Sequence, residues 1–202
     1  KAGLAAYFSG ERNFDSSSTS PISNNPFIQN TDKIDARDLK INEVEKSHYA
    51  IAQKIKQMLM ADAVPQNSSG ISADDVGVQL RVNSDVMFRP GSVDLLPEGT
   101  KVLEAVLKLM NEYNLYLVVR GHADSTEARP PYASAWELSG ARASAMVHYL
   151  ADKGIKPTRM RAVSYGDTRP LKPGIDEQSR AMNRRVEFFF HRPEVMSYSV
   201  VY

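Results

Sequence analysis

The chain has 202 residues, 25 Lys and Arg against 24 Asp and Glu, and a formal net charge of +1. That length allows one well-buried domain plus an extension, and a balance this even, with no basic cluster, argues against nucleic acid as a partner. Cysteine is absent, which excludes a disulfide framework and any thiol-based zinc site, and no stretch reaches the length of a spanning helix. The sequence starts at Lys1 with neither an initiator Met nor a signal peptide, so a piece of a longer protein is the expectation.

Residues 1–40 open with the apolar patch Leu4, Ala5, Ala6, Tyr7, Phe8 and pass into runs of Ser, Asn and Pro around Pro21 and Pro26. Such a composition buries too little apolar surface to offset the entropy of ordering it, and reads as a linker. Residues 41–63 place Ile41, Val44, Ile51, Ile55, Met58 and Leu59 at helical spacing. Pro65 and the cluster from Asn67 to Gly70 punctuate its end. A helix with one apolar face packs on something, either the domain that follows or a second copy.

The folded core is expected over residues 71–195. Gly77 to Val82 alternates as a half-buried strand does. A loop with Phe88 and Pro90-Gly91 follows, and then a helix over residues 100–113 with Val102, Leu103, Val106, Leu107 and Met110 on one face. The run from Leu115 to Val119 reads as an interior strand, ending at Gly121-His122-Ala123-Asp124. A second helix starts near Ser134, where Ser134 and Glu137 make a capping-box pattern, and it stops at Gly154, suited to a left-handed cap. Strands over residues 160–165 and 185–190 complete the core, and residues 196–202 are left as a tail. The order strand, helix, strand, helix, strand, strand predicts an α+β fold with helices layered on one mixed sheet.

Six strings occur together and in one order: Val86-Met87-Phe88, Gly121-His122-Ala123-Asp124, Leu138-Ser139-Gly140-Ala141-Arg142-Ala143, Gly154-Ile155, Val163-Ser164-Tyr165-Gly166 with Pro170, and Asn183-Arg184-Arg185-Val186-Glu187. The set resembles the OmpA-like peptidoglycan-binding domain family. Pro131-Tyr132 and Trp136-Glu137-Leu138-Ser139 make it similar to the MotB branch, the stator subunits of flagellar motors. The resemblance implies a βαβαβ-β two-layer sandwich and the periplasmic part of a single-pass inner-membrane protein, a homodimer working with a MotA-like subunit. Residues 1–40 would then hold a plug and linker, and residues 41–70 the helix leading into the domain.

The implied ligand is peptidoglycan, whose stem peptides in many bacteria carry diaminopimelate. Its free end is a zwitterion, so a site for it needs a fixed anion beside a fixed cation. The resemblance puts these roles on Asp124, for the ammonium, and Arg142, whose planar fork matches a carboxylate. It also places Phe88 and Leu138 in the lining and Arg185 or Arg184 nearby. Asp124 lies past a strand end and Arg142 about two turns into the next helix, where both can face one pocket. An ordinary structural ion pair is the competing reading for the two charges, and plain core the competing one for Phe88 and Leu138.

Neither a cofactor nor a metal is expected. His122, Glu127 and His148 match no standard ligand spacing. His122, Asp124 and Ser139 invite comparison with a hydrolase triad, but no nucleophile elbow surrounds Ser139. The expected function is therefore non-catalytic anchoring. A Pal-like or OmpA-like envelope tether and a cell-wall hydrolase stand as the alternatives.

Overall fold

A computed structural model of the chain describes residues 36–62 and 64–193, with side chains from residue 43 onward. The expected plug and linker up to residue 35 and the expected tail at 196–202 lie outside the described residues. Five strands, β1 (Ser69–Ala73), β2 (Gly77–Asn83), β3 (Tyr116–His122), β4 (Met160–Ser164) and β5 (Arg185–His191), form one sheet in the order β1-β2-β5-β3-β4. All neighbours are antiparallel except β3 and β4. A parallel pair needs a crossover connection, and helix α4 (Ala135–Asp152) supplies it. The remaining helices are α1 (Ala36–Ala61), α2 (Ser84–Met87), α3 (Pro97–Glu112) and α5 (Glu177–Asn183). No helix among the described residues is long and apolar enough to cross a membrane.

One face of the sheet carries the core. Val78, Leu80 and Val82 of β2, Val186, Phe188 and Phe190 of β5, and Leu117 and Val119 of β3 pack with α1, α3 and α4. Each large side chain buried there contributes about 1.5–3 kcal/mol. The opposite face alternates with it and is mostly polar, with Val118 and Phe189 as a small apolar patch.

The first helix begins at Ala36, five residues before the apolar periodicity starts. His48, Ile51, Ile55 and Leu59 are buried, and α1 lies against α3, β1 and β2. Its apolar face is thus covered within one chain. His48 ties it to the β1–β2 turn through a 2.7 Å contact from Nδ1 to the Asp74 carbonyl. Strand β1 and helix α5 were not expected. The first is a short edge strand with one large apolar residue, Ile71, and polar edges of this kind give little periodicity. The second is seven residues of polar sequence whose one local signal is Asp176, which accepts the Ser179 amide at 2.7 Å as an N-cap.

The α4 start follows the capping-box expectation in part. Ser134 accepts the Glu137 amide, but Glu137 reaches back to the Ala133 amide instead of that of Ser134. At the other end Gly154 has φ +97°, the left-handed region that glycine enters without strain. Gly121 allows α4 to lie close on β3: a Cβ there would sit 2.1 Å from the Ser139 carbonyl oxygen.

Candidate functional site

Strand directions decide which residues meet. Because β3 and β4 are parallel and β5 runs against β3 and β2, the ends of β2, β3 and β4 and the start of β5 share one edge of the sheet. There Arg185 faces Asn83 on one side and His122 on the other, and Gly121 faces Ser164. The Ala123 amide donates to the Gly166 carbonyl at 2.9 Å, joining the loops after β3 and β4. Helix α5 delivers Asn183 and Arg184 to the same edge. Asn183 accepts the Leu171 and Lys172 amides and donates to the Lys172 carbonyl, which fixes the loop beyond Gly166.

A cavity of about 170 Å³ opens at this edge, lined by His122, Asp124, Asp167, Arg169, Arg180 and Asn183 among others. That space suits an amino-acid-sized group better than a drug-sized ligand. Asp124 is its buried anion, 4% exposed. Oδ1 accepts the Thr126 amide at 2.7 Å and the Thr126 hydroxyl at 2.8 Å, and Oδ2 accepts Arg184 Nη1 at 3.1 Å. Arg180 Nε stands 4.0 Å from Oδ2. Burial pushes the Asp124 carboxyl up, but the Thr126 hydrogen bonds and Arg184 outweigh it and hold the group below its ordinary value. Asp124 is thus ionised at neutral pH. Arg184 is itself gripped by Asp85 at 2.8 Å and Glu177 at 2.6 Å.

Arg142 lies apart from that cavity. It is 1% exposed, and its guanidinium stands over the Phe88 ring at 5.1 Å. Nε donates to the Ser92 carbonyl at 2.9 Å and Nη2 pairs with Glu127 Oε1 at 2.6 Å. Asp124 and Arg142 are therefore not an ion pair with each other. Each has its own counter-ion, and the Arg142 fork is covered by the loop that follows Asp124.

The other expected residues divide. Phe88 is core and bridges to Leu95 while supporting Arg142. Leu138 is fully buried with Ala123, Ala135 and Tyr132 directly beneath the Asp124 loop. Arg185 does not reach the cavity. Its guanidinium is spent on Glu187 at 2.8 Å and on the Asn183 and Arg169 carbonyls. Arg184, not Arg185, meets Asp124, because β5 starts between them: Arg184 is still the cap of α5, and Arg185 already points from the polar face of the sheet. Arg184 and Asn183 were legible only in the family string, and Arg180 was missed altogether, since their helix is short and polar.

His122 has its Nε2 3.6 Å from Glu187 Oε2, beyond hydrogen-bonding distance, and its ring stacks on Tyr165. Burial pushes the imidazole down and leaves it neutral. Glu187 stays ionised, since Arg185 holds it directly. Ser139 meets no base. Its hydroxyl contacts Ser164 Oγ at 2.8 Å, accepts the Gly166 amide at 3.0 Å and donates to the Trp136 carbonyl at 3.3 Å. His148 pairs with Asp152 on the exposed side of α4. Among the described residues no three His, Cys, Asp or Glu side chains gather as metal ligands would.

Residues 87–184 match the OmpA family. Those residues are just under half of the chain, and the likeness to that family is theirs. The chain is similar to the peptidoglycan-associated lipoprotein of Pseudomonas aeruginosa, 39% identical over 108 residues that cover 54% of this chain and 62% of that protein. Among solved structures it is similar to a MotB-like protein from Desulfovibrio vulgaris, with a TM-score of 0.69 and 28% identity over 76% of this chain and 99% of that one. It is similar also to the periplasmic domain of Helicobacter pylori MotB, with a TM-score of 0.58 and 27% identity over 65% of this chain and 83% of that one. The chain spans less than two thirds of the lipoprotein's own length.

Proposed function

We propose that this chain is a non-catalytic, periplasmic peptidoglycan-binding module that anchors a flagellar stator to the cell wall. Asp124 accepts the ammonium of the stem-peptide diaminopimelate, and Arg142 takes the carboxylate on the same carbon. The observation that carries the reading is Asp124 itself: a buried carboxylate, ionised, at the wall of an amino-acid-sized cavity. Relatives named for association with peptidoglycan support the ligand class. Leu138 and Phe88 hold the two charges in place from below, and Arg185 fixes the start of β5.

The stator assignment draws on the MotB-like structure. That structure covers 76% of this chain and 99% of its own. A homodimer and a MotA-like partner follow from that assignment. The Pal-like reading, an envelope tether unrelated to motility, is favoured by the higher identity to the lipoprotein. Complementation separates the two. Fused to a stator membrane segment, this chain restores swimming under the first reading and does not under the second.

Co-sedimentation with purified sacculi tests the site. Asp124→Ala and Arg142→Ala are each expected to abolish binding while the proteins remain folded by circular dichroism. Binding that survives both substitutions rejects the site, and release of muropeptides by the wild-type chain rejects a non-catalytic role.

A further inference from the structure

The Arg142–Glu127 pair is incomplete in a way that points to a ligand. Arginine and carboxylate commonly meet through two parallel hydrogen bonds. Here one contact is made, Nη2 to Oε1 at 2.6 Å. The outer atoms, Arg142 Nη1 and Glu127 Oε2, are both buried and have no hydrogen-bond partner. A buried polar group without a partner is destabilising, and this one contact leaves two of them, one on each residue.

The two partners are held very differently. Arg142 is fixed without Glu127, by the Ser92 carbonyl on Nε and by the Phe88 ring beneath its plane. Glu127 sits in the loop between β3 and α4, in a turn closed by its own amide on the Asp124 carbonyl at 3.1 Å. Arg142 is the one ion-pair partner of its carboxylate among the described residues. Rotating the Glu127 side chain away would leave Arg142 in place with Nη1 and Nη2 both open.

We propose that Glu127 is a built-in stand-in for the ligand carboxylate, a displaceable side chain that closes the Arg142 subsite until a free amino-acid terminus replaces it. The inference rests on the binding role of Arg142 proposed above. An incoming zwitterion supplies a carboxylate that satisfies Nη1 as well as Nη2, so the guanidinium stays paired while Glu127 moves to solvent. A ligand that ends in a carboxamide cannot make this exchange, because it would uncover a charge without neutralising it. Glu127 therefore lowers affinity for every ligand and raises discrimination in favour of a free carboxylate.

The test uses the whole 202-residue chain with meso-diaminopimelate as the probe, by calorimetry, beside its mono-carboxamide. Glu127→Gln and Glu127→Ala are both expected to bind meso-diaminopimelate about tenfold tighter than wild type, with a smaller preference over the carboxamide. Two variants are used because Glu127→Gln keeps a neutral contact to Arg142 and guards against a folding defect. Affinity that is unchanged or weaker in both variants, with the wild type binding, overturns the role of Glu127 and leaves the peptidoglycan site standing. If wild type and both variants all fail to bind the probe, the Arg142 site itself is wrong and this inference falls with it.

Discussion

Arg184 Nη1 lies 3.1 Å from Asp124 Oδ2, so the acid of the proposed site is neutralised from within by the residue that caps α5. Arg184 also grips Asp85, past the end of β2, and Glu177, at the start of α5. One guanidinium thus ties three segments around the cavity. Arg184→Met is expected to lose roughly 2–3 kcal/mol of stability, as for hydrogen bonds to charged groups in partly buried places. It should also weaken sacculus binding by leaving Asp124 without its orienting partner. Urea unfolding alongside co-sedimentation checks this. A midpoint within error of wild type would show that the three contacts are dispensable.

Gly121→Ala should be more damaging than an ordinary Gly-to-Ala change on a strand. The added Cβ would meet the Ser139 carbonyl oxygen at 2.1 Å, a contact with backbone that no rotamer relieves. Helix α4 must then shift on β3, and overpacking of this kind costs about 1–3 kcal/mol or more. Because α4 carries Arg142, affinity for sacculi should fall with stability. Thermal unfolding and co-sedimentation on the same sample report both.

Arg159 closes the end of α3. Its guanidinium donates to the Met110, Tyr113 and Leu115 carbonyls at 2.8–3.0 Å, meeting acceptors that the last turn of a helix leaves open. Arg159→Met should cost about 1–3 kcal/mol through those stranded carbonyls, while sacculus binding by the folded fraction stays unchanged. A loss of affinity per folded molecule would contradict a purely structural role.

Acid is expected to destabilise the domain in two stages. Burial holds His122 below its ordinary 6.5, so the unfolded chain takes up that proton first and stability falls as pH drops through that value. Burial pushes Glu187 up, but His122, once acid has protonated it, and the directly bonded Arg185 outweigh it and bring the group from 4.5 to about 2. Its contribution is present above pH 4.5 and is lost as pH falls towards 2. Urea midpoints between pH 7.5 and 3 should trace both steps. Glu187→Gln, less stable at neutral pH, should show a shallower second step, and an equally steep fall in that variant would place the acid sensitivity elsewhere.

Much of this protein could be read from neighbouring residues alone. The alternation over β2, the apolar faces of α1 and α3, the Ser134 cap and the Gly154 stop are short-range patterns, and they hold because helix and strand periodicities act over a few positions. The strings around Asp124 and Arg142 carried the family for the same reason, as each is local. The edge strand β1 and helix α5 escaped because both are short and polar, and their stability comes from what they pair with. Only the tertiary structure decided which charge faces which. Asp124 meets Arg184, sixty residues on in the chain, because β5 inserts between β2 and β3 and brings its start to the end of β3. Arg142 meets Glu127, not Asp124, because the turn after Asp124 brings Glu127 onto its guanidinium. Pairing among buried charges is set by where strand ends meet, and no window of sequence records that.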